Sequence, residues 1–291
     1  MLAVALAHWG RGQGMWGRRA GIAGLMAVLW LPMAAAAADM DAIGKAPQSS
    51  LYDWTVTIGV EGRVEPIFQG SDGHTVRPYP LFDLRRYGTP ERFHGPRDGF
   101  GVGLFETGNF QVGAVGQFRM SRRESDDPAA LHGLGNVPWA VEIGGFAEYW
   151  WVPWLRTRAE VRQGFNGHHG VVADVFMDAV IPVSPQLTMS GGPRLTLATT
   201  AATSPYFSIN AAQSAASGLP TFAAEGGVRS LGAGAQARYV WTREWATHAF
   251  VEYERLSEDA ASSPLVTQRG SANQLTFGVG ATRSFDFKQP W

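Results

Sequence analysis

Apolar and polar residues alternate along most of the chain beyond Asp53. Between residues 231 and 241 every second side chain is apolar or aromatic, ending in Tyr239 and Trp241, and the side chains between them are small, polar or charged. A period of two predicts a β-strand with one apolar face. Ten segments show this pattern, and we expect each to form a strand: residues 54–61, 75–87, 93–106, 109–120, 140–151, 155–162, 171–181, 187–197, 228–242 and 273–287.

Three features favour a membrane barrel over a soluble β-sandwich, which would alternate in the same way. The segments are 8 to 15 residues long, close to the length with which a tilted strand crosses a bilayer. Aromatic residues gather at strand ends, as at Tyr149, Trp151 and Trp154, where membrane barrels carry aromatic girdles. The charged residues fall on one face of each strand. We therefore predict an all-β fold, a transmembrane antiparallel up-and-down β-barrel.

The alternation leaves the number of strands open. The ten segments alone give a ten-stranded barrel, whereas a strand at residues 207–210 and a division of residues 75–106 would give twelve. Bacterial barrels have even strand counts, and we expect about 12 strands, with 10 as the alternative. Residues 198–227 form one long loop or hold another strand.

The first 38 residues have the organisation of a secretory signal peptide. Arg11, Arg18 and Arg19 precede or border an uncharged apolar run of 12 residues, 20–31, and small residues then lead to Ala38. This order predicts export and cleavage after Ala38. An uncleaved anchor is the alternative, but such a run is too short to span a bilayer as a helix. We expect a signal peptide at 1–38, a short periplasmic segment at 39–52 and a barrel at 53–291, in the outer membrane of a Gram-negative cell.

Short connections between the predicted strands alternate with long ones. Residues 151–154, 182–185 and 242–244 are tight connections, whereas residues 121–138 and 258–272 are longer and polar. Outer-membrane barrels have short periplasmic turns and longer outer loops. We therefore expect the two long loops to face the exterior.

The composition narrows the chemistry that is open to this chain. It has no cysteine, which excludes a disulfide framework, a thiolate zinc site and a cysteine nucleophile. A formal net charge of -1 provides no basic field, so we expect no nucleic-acid partner.

Alternation places many charged residues on the inward faces of the strands. Two interpretations stay open. The charges could form a network of ion pairs that fills the interior, since opposite charges on neighbouring strands stabilise by up to about 1 kcal/mol per pair. They could instead line a polar pore with weak selectivity. The candidate lumen-facing residues are Glu142, Glu148, Arg156, Arg158, Glu160, Arg162, Asp174, Asp178, Arg194, Arg238, His248, Glu252 and Glu254.

Two short motifs have non-catalytic explanations. His168 and His169 lie between Gly167 and Gly170 in a predicted turn, where we expect solvated imidazoles rather than a metal site. The glycine-rich stretch 99–103 sits in a strand pattern with no helix after it, so it is not a nucleotide-binding loop. Its glycines relieve crowding inside a small barrel.

His248 is the histidine to consider for hydrolysis, which needs a serine, a histidine and an acid together. It lies on an inward face beside Glu252, but no serine stands at a recognisable spacing from it. We favour a hydrogen-bonded histidine in a polar interior. We predict no catalytic residue, no cofactor and no metal, with an outer-membrane lipid hydrolase as a remaining alternative.

Several stretches resemble the MipA/OmpV family of outer-membrane proteins. They include YFSINAAQSAASGLP at residues 206–220, FAAEGGVRSLGAGAQARY at 222–239, residues 259–266, the sequence RGSANQ at 269–274, Gly192-Pro193-Arg194, and the stretch 66–80. The AQSA and RGSANQ sequences are the most specific, and the resemblance covers essentially the whole chain after the signal peptide.

The resemblance implies an outer-membrane barrel. One member looks like a scaffold that brings a murein-degrading lytic transglycosylase together with a murein synthase, and others resemble proteins of adhesion or permeability. We therefore expect a non-enzymatic scaffold whose partners are outer-membrane lipids, the barrel insertion machinery during biogenesis, and a murein hydrolase and synthase. The inward polar faces support an alternative function, a narrow channel for the uptake of small solutes.

Overall fold

A computed structural model describes residues 53–288, which form eleven antiparallel β-strands and five short α-helices. All eleven strands belong to one sheet, in the spatial order β2-β1-β11-β10-β9-β8-β7-β6-β5-β4-β3. The strands are β1 (Trp54–Pro66), β2 (His74–Arg86), β3 (Phe100–Thr107), β4 (Phe110–Arg119), β5 (Ala140–Val152), β6 (Leu155–Asn166), β7 (Val171–Pro182), β8 (Leu187–Ala198), β9 (Gly227–Val240), β10 (Trp245–Leu256) and β11 (Asn273–Phe287).

The sheet curls, so that one face becomes an interior and the other an outer surface. In β6, buried residues alternate with more exposed ones from Arg156 to Arg162, and β5 and β7 follow the same rule. The outer face carries large exposed apolar side chains such as Ile143, Val161 and Val251. An apolar band of this kind is what a membrane barrel presents to lipid. The predicted all-β antiparallel barrel class is confirmed.

The two ends of the curled sheet differ in the length of their connections. Tight turns at residues 108–109, 153–154, 183–186 and 241–244 lie at one end, together with the paired strand termini Trp54 and Phe287. Connections at 120–139, 199–226 and 257–272 lie at the other. We call these the short-turn end and the loop end. Since outer-membrane barrels have short periplasmic turns, we infer that the short-turn end faces the periplasm.

Two hairpins carry the same aromatic arrangement at the short-turn end. In β5 the rings of Tyr149 and Trp151 lie 4.8 Å apart, and the Trp151 indole donates to the hydroxyl of Thr157. Tyr239 and Trp241, 4.5 Å apart, repeat this beside β9, again with the indole donating to a threonine six residues later. Aromatic residues with a polar tip settle at membrane–water boundaries, so these pairs mark the inner edge of the apolar band.

Each of the ten predicted strands overlaps an observed one, and β10 is an additional strand that the ten segments did not include. The expected strand at 207–210 is not formed. Ile209 makes a single isolated bridge to Phe222 there, and residues 199–226 are a loop with two short helices. The described chain therefore has eleven strands, between the two even counts expected from the sequence.

The chain between β2 and β3 takes the place of a twelfth strand. β2 ends at Arg86, opposite Trp54 at the short-turn end, whereas β3 begins at Phe100, towards the loop end. Residues 87–99 must therefore cross the height of the barrel, and they cross it through the interior. There Arg97 reaches β7 and β10, and Asp98 reaches β6. We call residues 87–99 the luminal strap.

The luminal strap corrects one expectation. Residues 93–99 are not part of a strand, although the pattern predicted one over 93–106. Pro90 and Pro96 lack the N–H that a ladder requires. Arg97 and Asp98 also form ion pairs with opposite charges inside the barrel. In a strand of the lipid-facing wall they would lack these partners.

β2 and β3 are the two edges of the sheet, and within residues 53–288 no ladder joins them. Pro78 and Pro80 lie in β2, and proline within a sheet is confined to edge strands, strand starts and bulges. In β3 the register shifts between Gly103 and Phe105. Both features interrupt regular edge pairing, which accounts for the absence of a β2–β3 ladder.

The loops at the loop end pack on one another and form a small core of their own, which we call the loop cap. Leu131, Phe207 and Leu265 are at most 1% exposed, and each comes from a different loop. Because apolar side chains from three loops bury one another, the loops are held as one unit. Its helices are α1 (Pro128–Leu131), α2 (Thr200–Phe207), α3 (Ala211–Ser217), α4 (Glu258–Ser262) and α5 (Pro264–Arg269).

None of the helices in the described range has the length and apolar character needed to cross a bilayer. The predicted signal peptide at 1–38 and the predicted periplasmic segment at 39–52 lie outside the described residues, as does the terminal Trp291.

The outer face of β9 offers a test of the inward and outward assignment. Ala235 lies at mid-strand, opposite Gly191 and Val251 on the neighbouring strands. Ala235→Arg should impair folding into lipid, because arginine on the lipid face near the bilayer midplane costs about 2–4 kcal/mol. Gln236→Arg, one residue on and facing inward, is the matched control and should be far milder. Folding into vesicles, followed by the electrophoretic shift of unheated samples, measures both, and equal losses would contradict the assignment.

Candidate functional site

The interior of the barrel is filled by charged side chains that face one another across strands. Ten of the thirteen predicted lumen-facing residues are buried, and Arg238, His248 and Glu254 are half-buried. A buried charge is costly unless it is paired and hydrogen-bonded, so the pairing of these groups decides whether the interior is stable. The buried ten are Glu142, Glu148, Arg156, Arg158, Glu160, Arg162, Asp174, Asp178, Arg194 and Glu252.

Arg162 forms the first centre of this network. Its Nε lies 3.0 Å from Glu142 Oε2 on β5, and its two terminal nitrogens form ion pairs with Glu160 on the same strand and Asp174 on β7. The planar guanidinium presents five donors in a fixed geometry, so a single arginine can bind carboxylates from three strands at once.

Glu148 and Asp178 form a second centre with three arginines. One Glu148 oxygen lies 3.0 Å from Arg156 Nε and 3.2 Å from Arg158 Nη1. Asp178 lies 2.6 Å from Arg194 Nη2 and 3.6 Å from Arg156 Nη1. Arg158 Nε also lies 2.7 Å from Glu160, which links this centre to the first one.

Arg97 of the luminal strap enters a third centre, which is acidic. Its Nη1 lies 2.6 Å from Glu254 and 3.3 Å from Glu252, both on the inward face of β10. Its Nη2 lies 3.6 Å from Asp174 and donates to the Thr196 hydroxyl at 3.1 Å. The strap therefore supplies the cation that this cluster of carboxylates lacks.

Asp98, the next residue of the strap, completes the second centre. Its carboxylate lies 2.6 Å from Arg156 Nη2 and 4.0 Å from Arg158 Nε. The backbone N–H of Gly99 then donates to Glu160 at 3.2 Å. The dipeptide Arg97-Asp98 thus places opposite charges into oppositely charged parts of the wall.

The remaining two predicted residues pair nearer the short-turn end and along β1. Arg238 lies 2.5 Å from Glu91 of the strap. His248 Nε2 pairs with the carboxylate of Glu61 on β1. Among the described residues no serine hydroxyl bonds the His248 ring, so the structure does not assemble a serine–histidine pair there.

Several interior residues were not among those predicted from the sequence. Arg97 and Asp98 lie outside any strand, so alternation could not place them. Arg119 lies 2.8 Å from Glu142, and its position on the inward parity of β4 would have indicated this. Arg229 is 7% exposed although its parity points outward, because the β8–β9 register shifts at this point and leaves it without a partner residue.

Two glycines make room for the network: Gly99, the last residue of the strap, and Gly101, on the inward face of β3. A Cβ added to Gly101 would lie 3.0 Å from Arg158 Nη2 and 3.1 Å from the Phe146 ring. One added to Gly99 would lie 2.5 Å from Val115 and 3.2 Å from Glu160. The glycine-rich stretch thus relieves crowding by buried side chains, as expected from the sequence.

His168 corrects another expectation, since it is not solvated. It is 2% exposed, and its Nε2 lies 3.0 Å from Glu142 Oε1, whereas His169 is exposed. The turn directs His168 into the interior, where its ring contacts the carboxylate of Glu142. Within residues 53–288, no group of three or more histidine and acidic side chains is arranged to hold a metal ion.

The loop cap meets the interior at Tyr206 of α2. Its ring lies 5.7 Å from the Arg119 guanidinium and 6.1 Å from the His168 ring, and its backbone carbonyl accepts from Arg122 at 2.7 Å. Burial raises the pKa of the Tyr206 hydroxyl and lowers the pKa of Arg122 to about 10. Both shifts have the same cause, because burial penalises the charged form of each group.

The two most specific sequences of the family resemblance, AQSA and RGSANQ, form hydrogen bonds between segments of the loop cap. Gln213, in AQSA, donates to the Leu134 carbonyl at 2.6 Å. In RGSANQ, Arg269 donates to the Ala130 carbonyl at 3.1 Å, and Gln274 accepts from the Gly70 N–H at 3.0 Å. These side chains join different loops, so their role in this structure is to hold the cap together.

The buried network predicts a strong effect of removing its central cation. Arg162→Ala leaves three carboxylates without that partner, and breaking such a buried pair costs about 3–5 kcal/mol. Arg283→Ala is the matched control, because Arg283 pairs with Glu244 at 3.4 Å at an exposed site, where a salt bridge contributes about 0–1 kcal/mol. Urea unfolding from lipid vesicles compares the two. A loss below about 1 kcal/mol for Arg162→Ala would show that the network is not structural.

Solved structures with a similar fold are outer-membrane proteins, all distant in sequence. A bacterial polysaccharide outer membrane secretin aligns with a TM-score of 0.40 and 10% identity, covering 82% of this chain and 100% of that one. The KdgM porin gives 0.33 and 10%, covering 79% and 99%. OmpT of Vibrio cholerae gives 0.36 and 8%, covering 83% and 100%.

No curated protein matches the chain. A family model does match: that of the MltA-interacting protein MipA, over residues 58–285, which spans all eleven strands in part or in full. This range covers most of the chain and includes the strap, the buried network and the loop cap. The apolar outer band and the curled antiparallel sheet agree with an outer-membrane location. The chain therefore belongs to the MltA-interacting protein MipA family and is an outer-membrane β-barrel protein.

Proposed function

We propose that this protein is a non-enzymatic scaffold of the outer membrane that holds murein-remodelling enzymes at its periplasmic end. The observation that carries this proposal is the filled interior. Arg156, Glu142 and Glu160 are fully buried, and the luminal strap runs through the space that a solute would need. A barrel filled in this way acts through its surfaces.

The family description supports the choice of partner. It names a protein that interacts with MltA, and one member of this family looks like a scaffold for a lytic transglycosylase and a murein synthase. Such enzymes act on murein in the periplasm, so the surface that meets them is the short-turn end.

The short-turn end has the features of a protein-binding rim. The turn between β9 and β10 exposes Arg243 and Glu244, and the turn between β5 and β6 exposes Trp154. Tryptophan and arginine are enriched among residues that dominate binding energy at interfaces. These turns are short and anchored in the sheet, so a partner meets a surface that needs little ordering.

The pairing of His248 favours a role without catalysis. Its ring nitrogen is engaged by Glu61. This geometry suits a structural ion pair better than a hydrolytic base that must bond a serine.

Affinity capture tests the scaffold directly. Tagged full-length protein, extracted from outer membranes in mild detergent, should enrich a murein hydrolase and a murein synthase. Arg243→Glu, at the short-turn end, should reduce this enrichment several-fold. Arg123→Glu makes the same change at an exposed position of the loop cap and should leave enrichment unchanged. Capture that contains neither enzyme class would refute the proposal, and equal sensitivity to both variants would refute the periplasmic surface.

Planar bilayers distinguish the scaffold from the narrow channel. Because ion pairs and the strap occupy the interior, the wild-type protein should give no stable conductance steps. Wild-type protein folded into vesicles, as in the comparison of Ala235→Arg with Gln236→Arg, and confirmed by its electrophoretic shift, is the sample to use. Regular steps from that sample would favour the channel.

A further inference from the structure

The luminal strap occupies two adjacent clusters of opposite charge on the barrel wall. The acidic cluster consists of Asp174, Glu252 and Glu254, and it surrounds the Arg97 guanidinium at 3.6, 3.3 and 2.6 Å. The basic cluster consists of Arg156 and Arg158, which lie 2.6 and 4.0 Å from the Asp98 carboxylate. Arg97 and Asp98, two consecutive residues of opposite charge, thus bind adjacent wall clusters whose charges are opposite to theirs.

Two members of the acidic cluster, Glu252 and Glu254, form their ion pairs with the strap, whereas Asp174 also pairs with Arg162 on the wall. Among residues 53–288, Arg97 is the only cation within ion-pair distance of Glu252 and Glu254. The two glutamates stand two residues apart on the same face of β10, so their charges repel when the cation leaves. Arg229 on the neighbouring strand β9 and Arg194 on β8 act on these carboxylates only from beyond ion-pair distance.

The basic cluster also receives a charge of the strap. Arg156 and Arg158 share one oxygen of Glu148, at 3.0 and 3.2 Å. Arg158 Nε also lies 2.7 Å from Glu160 and Arg156 Nη1 lies 3.6 Å from Asp178, and Arg156 Nη2 remains for a further carboxylate. Asp98 takes that position, 3% exposed at its side chain.

The strap is attached to the wall mainly by side chains. Its backbone-to-backbone hydrogen bonds to neighbouring segments are those of Tyr87 to Asp53 and Thr89 to Arg86, both at its first end in the described structure. Further along, the Pro96 carbonyl accepts from Arg63 at 3.3 Å. Strands of the sheet are held by a full ladder, and the strap is not. A ligand that offers the same two charges can therefore compete for the same positions.

We propose that the inward faces of β6, β7 and β10 form a binding site for short peptides that carry a cationic side chain next to an acidic one, and that the luminal strap is its built-in occupant. Arginine is the preferred cation. The two β10 carboxylates and the Thr196 hydroxyl accept from both ends of the guanidinium fork, and the Phe176 ring lies 6.0 Å from its centre. A lysine ammonium is a single compact charge and does not reach all of these acceptors at once.

Removing the charged side chains of Arg97 and Asp98 leaves the proposed site without its built-in occupant, so that peptide binding can be measured. The full chain with Arg97→Ala and Asp98→Ala, refolded in detergent micelles, is titrated calorimetrically with the blocked dipeptide acetyl-Arg-Asp-amide. It should bind at least about tenfold more tightly than acetyl-Arg-Asn-amide or acetyl-Gln-Asp-amide, because each loses one charged hydrogen-bonding group. Acetyl-Lys-Asp-amide should bind more weakly than the arginine peptide.

Changes in the wall assign the binding to the site. Adding Glu252→Gln and Glu254→Gln to that variant should weaken acetyl-Arg-Asp-amide at least about tenfold. Glu65→Gln is the matched control, since Glu65 pairs with Arg77 at 2.7 Å away from both clusters, and it should leave affinity unchanged. Equal affinity for all four peptides, or no binding by a folded variant, would overturn the proposal.

A second variant keeps the test decisive if the double alanine variant does not fold. Arg97→Lys retains the charge but loses the guanidinium fork. In this protein, millimolar acetyl-Arg-Asp-amide should speed amide hydrogen exchange of residues 90–97 at least about tenfold, a concentration comparable to the effective concentration of a tethered segment. Exchange in β6 and β10 should not change. Unaltered exchange of the strap would count against the site, whereas the capture of murein enzymes does not depend on either result.

Discussion

The structure depends on one constraint: a charged group inside a narrow barrel must meet an opposite charge, since burial without pairing is prohibitive. Arg162, Glu142 and Glu160 satisfy it by converging from two strands, and Asp174 joins them from a third. The glycines of β3 follow from the same constraint, because side chains there would displace the guanidinium groups. The path of the luminal strap follows as well, since Arg97 is the one cation among the described residues within ion-pair distance of Glu252 and Glu254.

The sequence predicts most of the wall and little of what lies within it. Alternation identifies the strands around Glu148, Arg156 and Asp178 and assigns their inward faces, because strand geometry fixes side-chain direction at every second residue. The rule fails at Arg229, where a register shift turns an outward position inward. It fails for the strap, whose Arg97 bonds Glu252, a residue 155 positions away in sequence. Short cap helices held by tertiary packing also give no periodic pattern of their own.

The strand count shows how local and global requirements interact. Even counts arise because antiparallel neighbours must close on each other, and the segment after β2 would have been the even-numbered strand. Pro96 and the charges beside it direct that segment inward. Pro78 and Pro80 then lie in an edge strand, which pairs with β1 on one side and with no strand on the other. The odd number of strands, the occupied interior and the prolines of β2 and the strap thus have one cause, which is that residues 87–99 run inside the barrel.

The order in which the strap and its partners are synthesised has a consequence for biogenesis. The strap precedes β6 to β10 in the chain, and those strands curl around it, so their ion pairs form only as the sheet curls. A sheet that curled first would leave Arg97 and Asp98 without their partners and the β10 glutamates unneutralised. Curling of the sheet and filling of its interior are therefore coupled.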